Sequence, residues 1–186
     1  RVASRGLGDV YKRQGYTGED GFELFCPKSM ASQWWEGFLA EGVKPCGLGS
    51  RDSLRLEMCY PLNGNDLTPE RTPLEAGLGF FVALGKAEFV GGEALRKQKE
   101  EGLKRKLVAI ELTERGAPPR AGYPVLSENG EPLGNLSSGG ISPCLQKGIG
   151  LAYLPVASGK IGTKLAIEIR GKKISAQVVK KPFYKK

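Results

Sequence analysis

The chain has 186 residues, 40% of them hydrophobic, and carries 28 Lys and Arg against 20 Asp and Glu, a net charge of +8. That length suffices for one sizeable core or two small ones, the apolar share argues against disorder, and no apolar run approaches a membrane span. With no histidine, and four cysteines without a C-x-x-C pair, the chain can build neither a zinc ribbon or finger nor a Ser-His-Asp or Cys-His nucleophile.

Residues 1–14 read as foreign. Asp9–Gln14 back-translates to GAT GTG TAT AAG AGA CAG, the transposon end of sequencing-library adapters, and Ser4–Gly8 continues it. This segment is therefore expected to be translated adapter, with native sequence from about Gly15, and is set aside from fold reasoning. It holds Arg1, Arg5, Lys12 and Arg13 against Asp9, so 24 basic and 19 acidic residues remain, a net +5. Lys180, Lys181, Lys185 and Lys186 cluster at the other end, a basic face that suits an acidic protein partner or an anionic small molecule. No groove-reading motif or aromatic-interleaved basic stretch points to nucleic acid.

Gly15-Tyr16-Thr17-Gly18-Glu19-Asp20-Gly21-Phe22-Glu23-Leu24 places three carboxylates and a tyrosine among three glycines. Glycine permits close backbone approach to a ligand, and a fixed carboxylate there can take two N–H bonds from a planar amidine-like edge. A plain turn entering a strand reads the same residues. Gly21–Cys26 is predicted as that short strand. Ser29 is predicted to cap a helix running to about Ala40, with Trp34, Phe38 and Leu39 on its buried face. Gly47-Leu48-Gly49-Ser50 opens a second helix, Arg51 to about Met58, whose free N–H groups favour an anion. Arg51 and Arg55 share one face of it, the alternative being ordinary surface arginines on a capped helix. Pro61, Asn63-Gly64 and Asn65-Asp66 end it in turns. Leu78–Leu84 is predicted as a buried strand and Glu93–Glu100 as a short charged helix.

From Leu103 the pattern changes to short strands: Leu107–Leu112, Leu133–Ser137, Ile149–Leu154, Leu165–Ile169 and Ile174–Val179, separated by Gly, Pro and Asn. Period-2 alternation is plain in Leu165, Ile167 and Ile169. The expected fold is α+β: an α/β piece over 15–102, then a small all-β barrel or sandwich over 103–186 including the tail. The four cysteines, Cys26, Cys46, Cys59 and Cys144, are expected to be unpaired core thiols in a reducing compartment.

Gly15–Leu24 and Gly49–Glu57 together resemble the aminomethyltransferase family, the T-proteins of the glycine cleavage system. Asn63-Gly64-Asn65-Asp66-Leu67, Thr72–Leu78, Gly139, Ser142-Pro143 and Pro182-Phe183-Tyr184 extend the resemblance over 15–186 in family order. It implies a transferase that moves the methylene of an aminomethyl-lipoyl group, carried by the acidic H-protein, to tetrahydrofolate, with no metal. By resemblance Glu23 holds the pterin edge, Tyr16 packs on the pterin, Arg51 is a folate-site arginine, and Tyr184 and Lys186 are the tail's candidates for closing the cavity. Lys186 stands where the family's tail often carries Arg or Tyr, and Lys lacks the guanidinium fork. The resemblance also implies that 15–102 is an incomplete folate-binding piece. The family's catalytic aspartate has no counterpart here, so no catalytic residue is assigned and the fragment is expected to be inactive alone. The implied residence is the bacterial cytoplasm or, in a eukaryote, the mitochondrial matrix. Other readings are the T-protein-like half of a sarcosine or dimethylglycine dehydrogenase, which an upstream flavin domain would mark, and a non-catalytic folate-binding module. The iron–sulphur repair proteins' Lys-Gly-Cys-Tyr signature is absent around Cys59-Tyr60.

Overall fold

The structure, a computed structural model, describes residues 15–185. They divide into two compact units that meet in sequence at Arg55 and Leu56. The 1–14 adapter reading lies outside the described residues.

The first unit holds a glycine-punctuated turn at 16–20, an irregular stretch, and helix α1 at Ala31–Ala40. Gly21–Cys26 is not a strand, because no described segment supplies the ladder partner a strand needs. Ser29 does not cap α1. It sits inside a 3₁₀ turn, Lys28–Met30, and the N-cap position falls on Met30 without a side-chain cap bond. The expected buried face of α1 is also overturned, since none of its residues is buried. Helix α2 spans Leu48–Glu57, three residues earlier at its start than the spacing predicted. Gly47 closes its first turn, its carbonyl accepting the N–H of Ser50 at 3.1 Å and of Arg51 at 3.3 Å.

In the second unit, helix α3 at Gly92–Glu101 matches the charged helix expected over 93–100. Leu78–Leu84 is not a buried strand. It is a 3₁₀ turn, Gly79–Phe81, with Phe80 95% and Phe81 79% exposed. An apolar run of this length fits several conformations, and here the backbone bonds locally, Phe81 N–H to Leu78 and Val82 N–H to Gly79.

Six strands follow: β1 Arg105–Leu112, β2 Pro124–Ser127, β3 Pro132–Ser142, β4 Lys147–Pro155, β5 Lys164–Ile169 and β6 Lys172–Val179. They close an antiparallel barrel in the order β1-β4-β3-β2-β5-β6, with β6 returning to β1. Closure removes every open edge, so backbone groups pair all the way round. The interior is filled by Val108, Ile110 and Leu112 of β1 with Leu136, Ala152, Leu154, Ile167 and Val178. Alternate residues Leu107, Ala109, Ile149, Leu151 and Tyr153 point outward, yet are buried with Leu56, Cys59 and Ala76. β1 and β4 therefore bury both faces, which is why β4 reads as an unbroken apolar run. Gly139 fits because a Cβ there would meet the Pro119 carbonyl carbon at 2.9 Å.

β2 was not expected from the sequence. Four residues opening on proline give too short a pattern to show alternation. The thiols are also more varied than expected. Cys59 is buried, but Cys46 and Cys144 are exposed and Cys26 is half-buried.

Candidate functional site

In the first unit, the turn at 16–20 and the first turn of α2 bring two of the expected site residues together. The Arg51 guanidinium lies over the Tyr16 ring, 4.6 Å from its centroid. A cation at that distance from a π-face is attracted by the ring quadrupole, about 0.5–1 kcal/mol where exposed. Gly18, at φ 73°, makes the reversal, and the Glu19 N–H donates to Thr17 Oγ1 at 3.3 Å. Asp52 engages Arg55, accepting from Nε at 2.7 Å, which leaves Arg51 as the arginine set on the aromatic ring. Glu23 is exposed and makes no hydrogen bond or ion pair among the described residues. Tyr184 belongs to the second unit, and Lys186 lies outside the described residues. Within the first unit the structure thus joins Tyr16 to Arg51 and does not bring Glu23 into that pair.

In the second unit, three carboxylates organise the segment between α2 and the barrel. Asp66 is fully buried. Its two carboxylate oxygens accept from Ser137 Oγ and from Ser138 Oγ, the latter at 2.7 Å, and Oδ2 also takes the Leu62 N–H at 2.8 Å. Consecutive strand residues point to opposite faces, so two adjacent serines should not share one carboxylate. A bulge in β3 resolves this: Leu136 pairs with Ala152 and Ser138 with Leu151, leaving Ser137 as the extra residue. The Tyr153 hydroxyl donates to the Asp66 carbonyl at 2.8 Å, and Arg71 stacks on the Tyr153 ring at 4.5 Å. Burial raises the Tyr153 phenol above its ordinary range.

Glu57 is the second node. Its carboxylate accepts from Ser142 Oγ at the end of β3 and from the Cys144 N–H at 3.0 Å in the turn that follows. Glu75 is the third, accepting the Thr72 N–H and Arg105 Nε, each at 2.9 Å. Burial works against its charge, but the Arg105 and Thr72 bonds prevail and hold it below the usual carboxylate range. These nodes lie in segments that carry the family resemblance, and they bind the protein to itself. Their partners Ser137, Ser138, Ser142, Cys144 and Arg105 lie 30 to 87 residues away in sequence, so no local signal could reveal them.

Beside them, burial pushes the Cys59 thiol up to about 11 and depresses the Lys181 ammonium below its ordinary value. An apolar cleft of about 270 Å³ is lined by Leu74, Gly79, Leu84, Lys99, Gly102 and Leu103. Among the described residues no group of three or more His, Cys, Asp or Glu could hold a metal ion, and no helix is long and apolar enough to cross a membrane.

Two family models match in sequence order. The GCVT N-terminal domain matches residues 6–86, and the glycine cleavage T-protein C-terminal barrel domain matches residues 105–185. The chain belongs to the glycine cleavage T-protein family. The T-protein barrel model coincides with the closed six-stranded barrel, and the N-terminal model contains Tyr16, Glu23 and Arg51. An aminomethyltransferase from Listeria monocytogenes serotype 4b (strain F2365) is 53% identical over 182 residues, covering 97% of this chain and 50% of the relative. One from Geobacillus sp. (strain WCH70) is 48% identical over 186 residues, with 97% and 50% covered. The crystal structure of glycine cleavage system aminomethyltransferase T from Bartonella henselae superposes with a TM-score of 0.87 at 39% identity, covering 92% of this chain and 48% of that one. The chain spans about half the length of the T-protein relatives it matches.

Proposed function

We propose that this chain is the folate-holding part of a tetrahydrofolate-dependent aminomethyltransferase that acts with a lipoylated, acidic H-protein. The observation that carries the reading is the Arg51–Tyr16 stack, 4.6 Å from guanidinium to ring centroid. It stacks a planar cation on an aromatic ring, a pair suited to a planar heterocycle bearing an anionic tail. Glu23 complements it. Its carboxylate is uncommitted among the described residues, so both oxygens can accept the pterin's N3–H and 2-amino hydrogens as a bidentate, charge-assisted pair.

In the reaction so assigned, the folate N5 attacks the methylene carbon of the aminomethyl-lipoyl group. That carbon loses its bonds to sulfur and to the amine nitrogen and gains bonds to N5 and N10. The sulfur departs as the dihydrolipoyl thiol and the nitrogen as ammonia. Tyr16, Glu23 and Arg51 act by holding the pterin in place, and fixed geometry supplies much of the acceleration in a transfer between two carriers. Tyr184 and Lys186 are proposed to close on the folate from the tail. The basic C-terminal cluster, Lys180, Lys181, Lys185 and Lys186, suits an acidic carrier. In a bacterial cell the enzyme works in the cytoplasm.

Titration calorimetry with 5-formyltetrahydrofolate tests the assignment. The 186-residue chain should bind weakly and release no ammonia from an aminomethyl-lipoyl carrier. Glu23→Ala should weaken binding roughly tenfold or more, as expected for loss of charged hydrogen bonds of about 1.5–3 kcal/mol. Unchanged affinity in that variant would remove Glu23 from the site, and ammonia release by the chain would overturn its inactivity alone.

A further inference from the structure

The charge of the chain is unevenly divided. Residues 103–186 carry 15 Lys and Arg against 5 Asp and Glu, a net +10, whereas residues 15–102 carry 9 against 14, a net −5. Two of the five barrel carboxylates are already committed. Glu111 pairs with Lys147 at 2.5 Å, and Glu114 accepts the Ser175 N–H at 2.6 Å. Charge so biased toward one half points to a polyanionic partner for that half.

One end of the barrel shows where it would bind. β5 and β6 are joined by Arg170 and Gly171, and the pair Ile169–Lys172 closes this two-residue turn. Arg170 has φ 51° and Gly171 φ 76°. A hairpin turn with positive φ at both positions favours Asn, Asp or Gly, so an arginine there is strained. A strained, exposed cation points to use rather than to stability. Lys172 follows directly. The segment 113–116 runs beside β6, the Thr113 N–H donating to the Ser175 carbonyl at 2.9 Å, and brings Arg115 to the same end. Arg115, Arg170 and Lys172 are exposed, and none makes a side-chain hydrogen bond or ion pair among the described residues. This turn and the tail lysines lie at opposite ends of β6, whose eight residues span about 23 Å.

A protein interface needs an apolar core, yet of the large aliphatic side chains in 103–185 only Ile141, Val156 and Ile161 are exposed. None of the aromatic residues Tyr123, Tyr153, Phe183 and Tyr184 is exposed, so no ring offers a base a stacking surface. Backbone phosphates require neither, since cations alone bind them. We propose that this end of the barrel binds nucleic acid through its phosphate backbone, without sequence preference, with Arg115, Arg170 and Lys172 as the contacts. The absence of a base-reading motif fits that mode. The inference goes beyond the folate assignment and does not depend on it.

Fluorescence anisotropy with a labelled oligouridine of about 20 nucleotides, repeated with a duplex DNA of similar length, tests this. The expected dissociation constant is about 1–100 µM at about 150 mM KCl, and affinity should fall with salt at a log–log slope near −2 for three single-strand phosphate contacts. Arg170→Asn removes the cation while giving the turn a residue it favours. Affinity should then fall about threefold or more while the thermal midpoint holds or rises. Arg115→Gln, Arg170→Asn and Lys172→Gln combined should weaken binding at least tenfold and flatten the salt slope. Lys44→Gln, in the acidic half, should leave binding unchanged. The basic residues of 1–14 are common to every variant, so they do not enter these differences. Equal binding by wild type and the folded triple variant would overturn the proposal. So would competition by poly-L-glutamate or phosphatidylglycerol vesicles as strong as that of unlabelled RNA at matched charge, which would make an acidic protein or a membrane the partner. Weak competition by both supports the phosphate backbone.

Discussion

The amide of Phe183 donates to the backbone carbonyl of Glu57 at 3.0 Å, tying the C-terminal tail to the last residue of α2. Tyr184 N–H shares that carbonyl at 3.2 Å, while the Glu57 carboxylate reaches the β3–β4 turn. One residue thus joins three segments, and a helix-end carbonyl that would otherwise lack a partner is satisfied by the tail. Glu57→Ala should cost about 2–4 kcal/mol in urea unfolding, because it strands the Ser142 hydroxyl and Cys144 N–H. Glu57→Gln keeps an acceptor oxygen and should cost less than half as much.

Asp66 holds a similar place under β3. Asp66→Ala leaves two serine hydroxyls and the Leu62 N–H without their acceptor in a buried site. The expected loss is about 3–5 kcal/mol by urea denaturation, from three buried donors left unsatisfied at about 1–3 kcal/mol each. Ser137→Ala, which removes one donor, should cost about 1 kcal/mol.

The Glu75–Arg105 pair sets a limit on acid stability. The Glu75 carboxyl is held below its usual 4.5, so the unfolded chain binds its proton first as pH falls. Its contribution is present above pH 4.5 and is lost as the pH drops through the lowered value. Thermal melts of Glu75→Gln should fall below wild type at pH 7 and converge with it on the acid side. Parallel curves at all pH values would refute the coupling.

Thiol reactivity should separate the four cysteines. Iodoacetamide at pH 7.5 is expected to alkylate Cys46 and Cys144 quickly and Cys59 only on unfolding. Because the Cys59 thiol rises from 9.0 to about 11, its contribution to stability is complete below pH 9 and fades as the pH climbs through 11. Cys59→Ala should flatten that alkaline limb of the stability curve.

Much of the barrel was legible because strands write their own period. Ile167 and Ile169 alternate with Glu168 and Arg170, and five of the six strands stood out as short apolar runs bounded by Gly, Pro and Asn. The glycine-rich turn and α2 were legible from residue type. Leu78–Leu84 and Gly21–Cys26 were misread because an apolar run specifies burial without specifying a conformation, and here neither found a ladder partner. Trp34 and Phe38 were spaced as a buried face, and that spacing is real, but burial requires a neighbour that sequence pattern does not reveal.

The sequence by itself determined five of the barrel's six strands and the family resemblance. Only the tertiary structure decided which polar residues turn inward. A bulge at Ser137 aims two serines at Asp66, and Glu57 gathers α2, the β3–β4 turn and the tail, across separations of 71 to 127 residues. A hydrogen bond forms between groups that folding brings within about 3 Å, whatever their distance along the chain. Arg51 met Tyr16 in the same way, 35 residues apart in sequence and 4.6 Å apart in space.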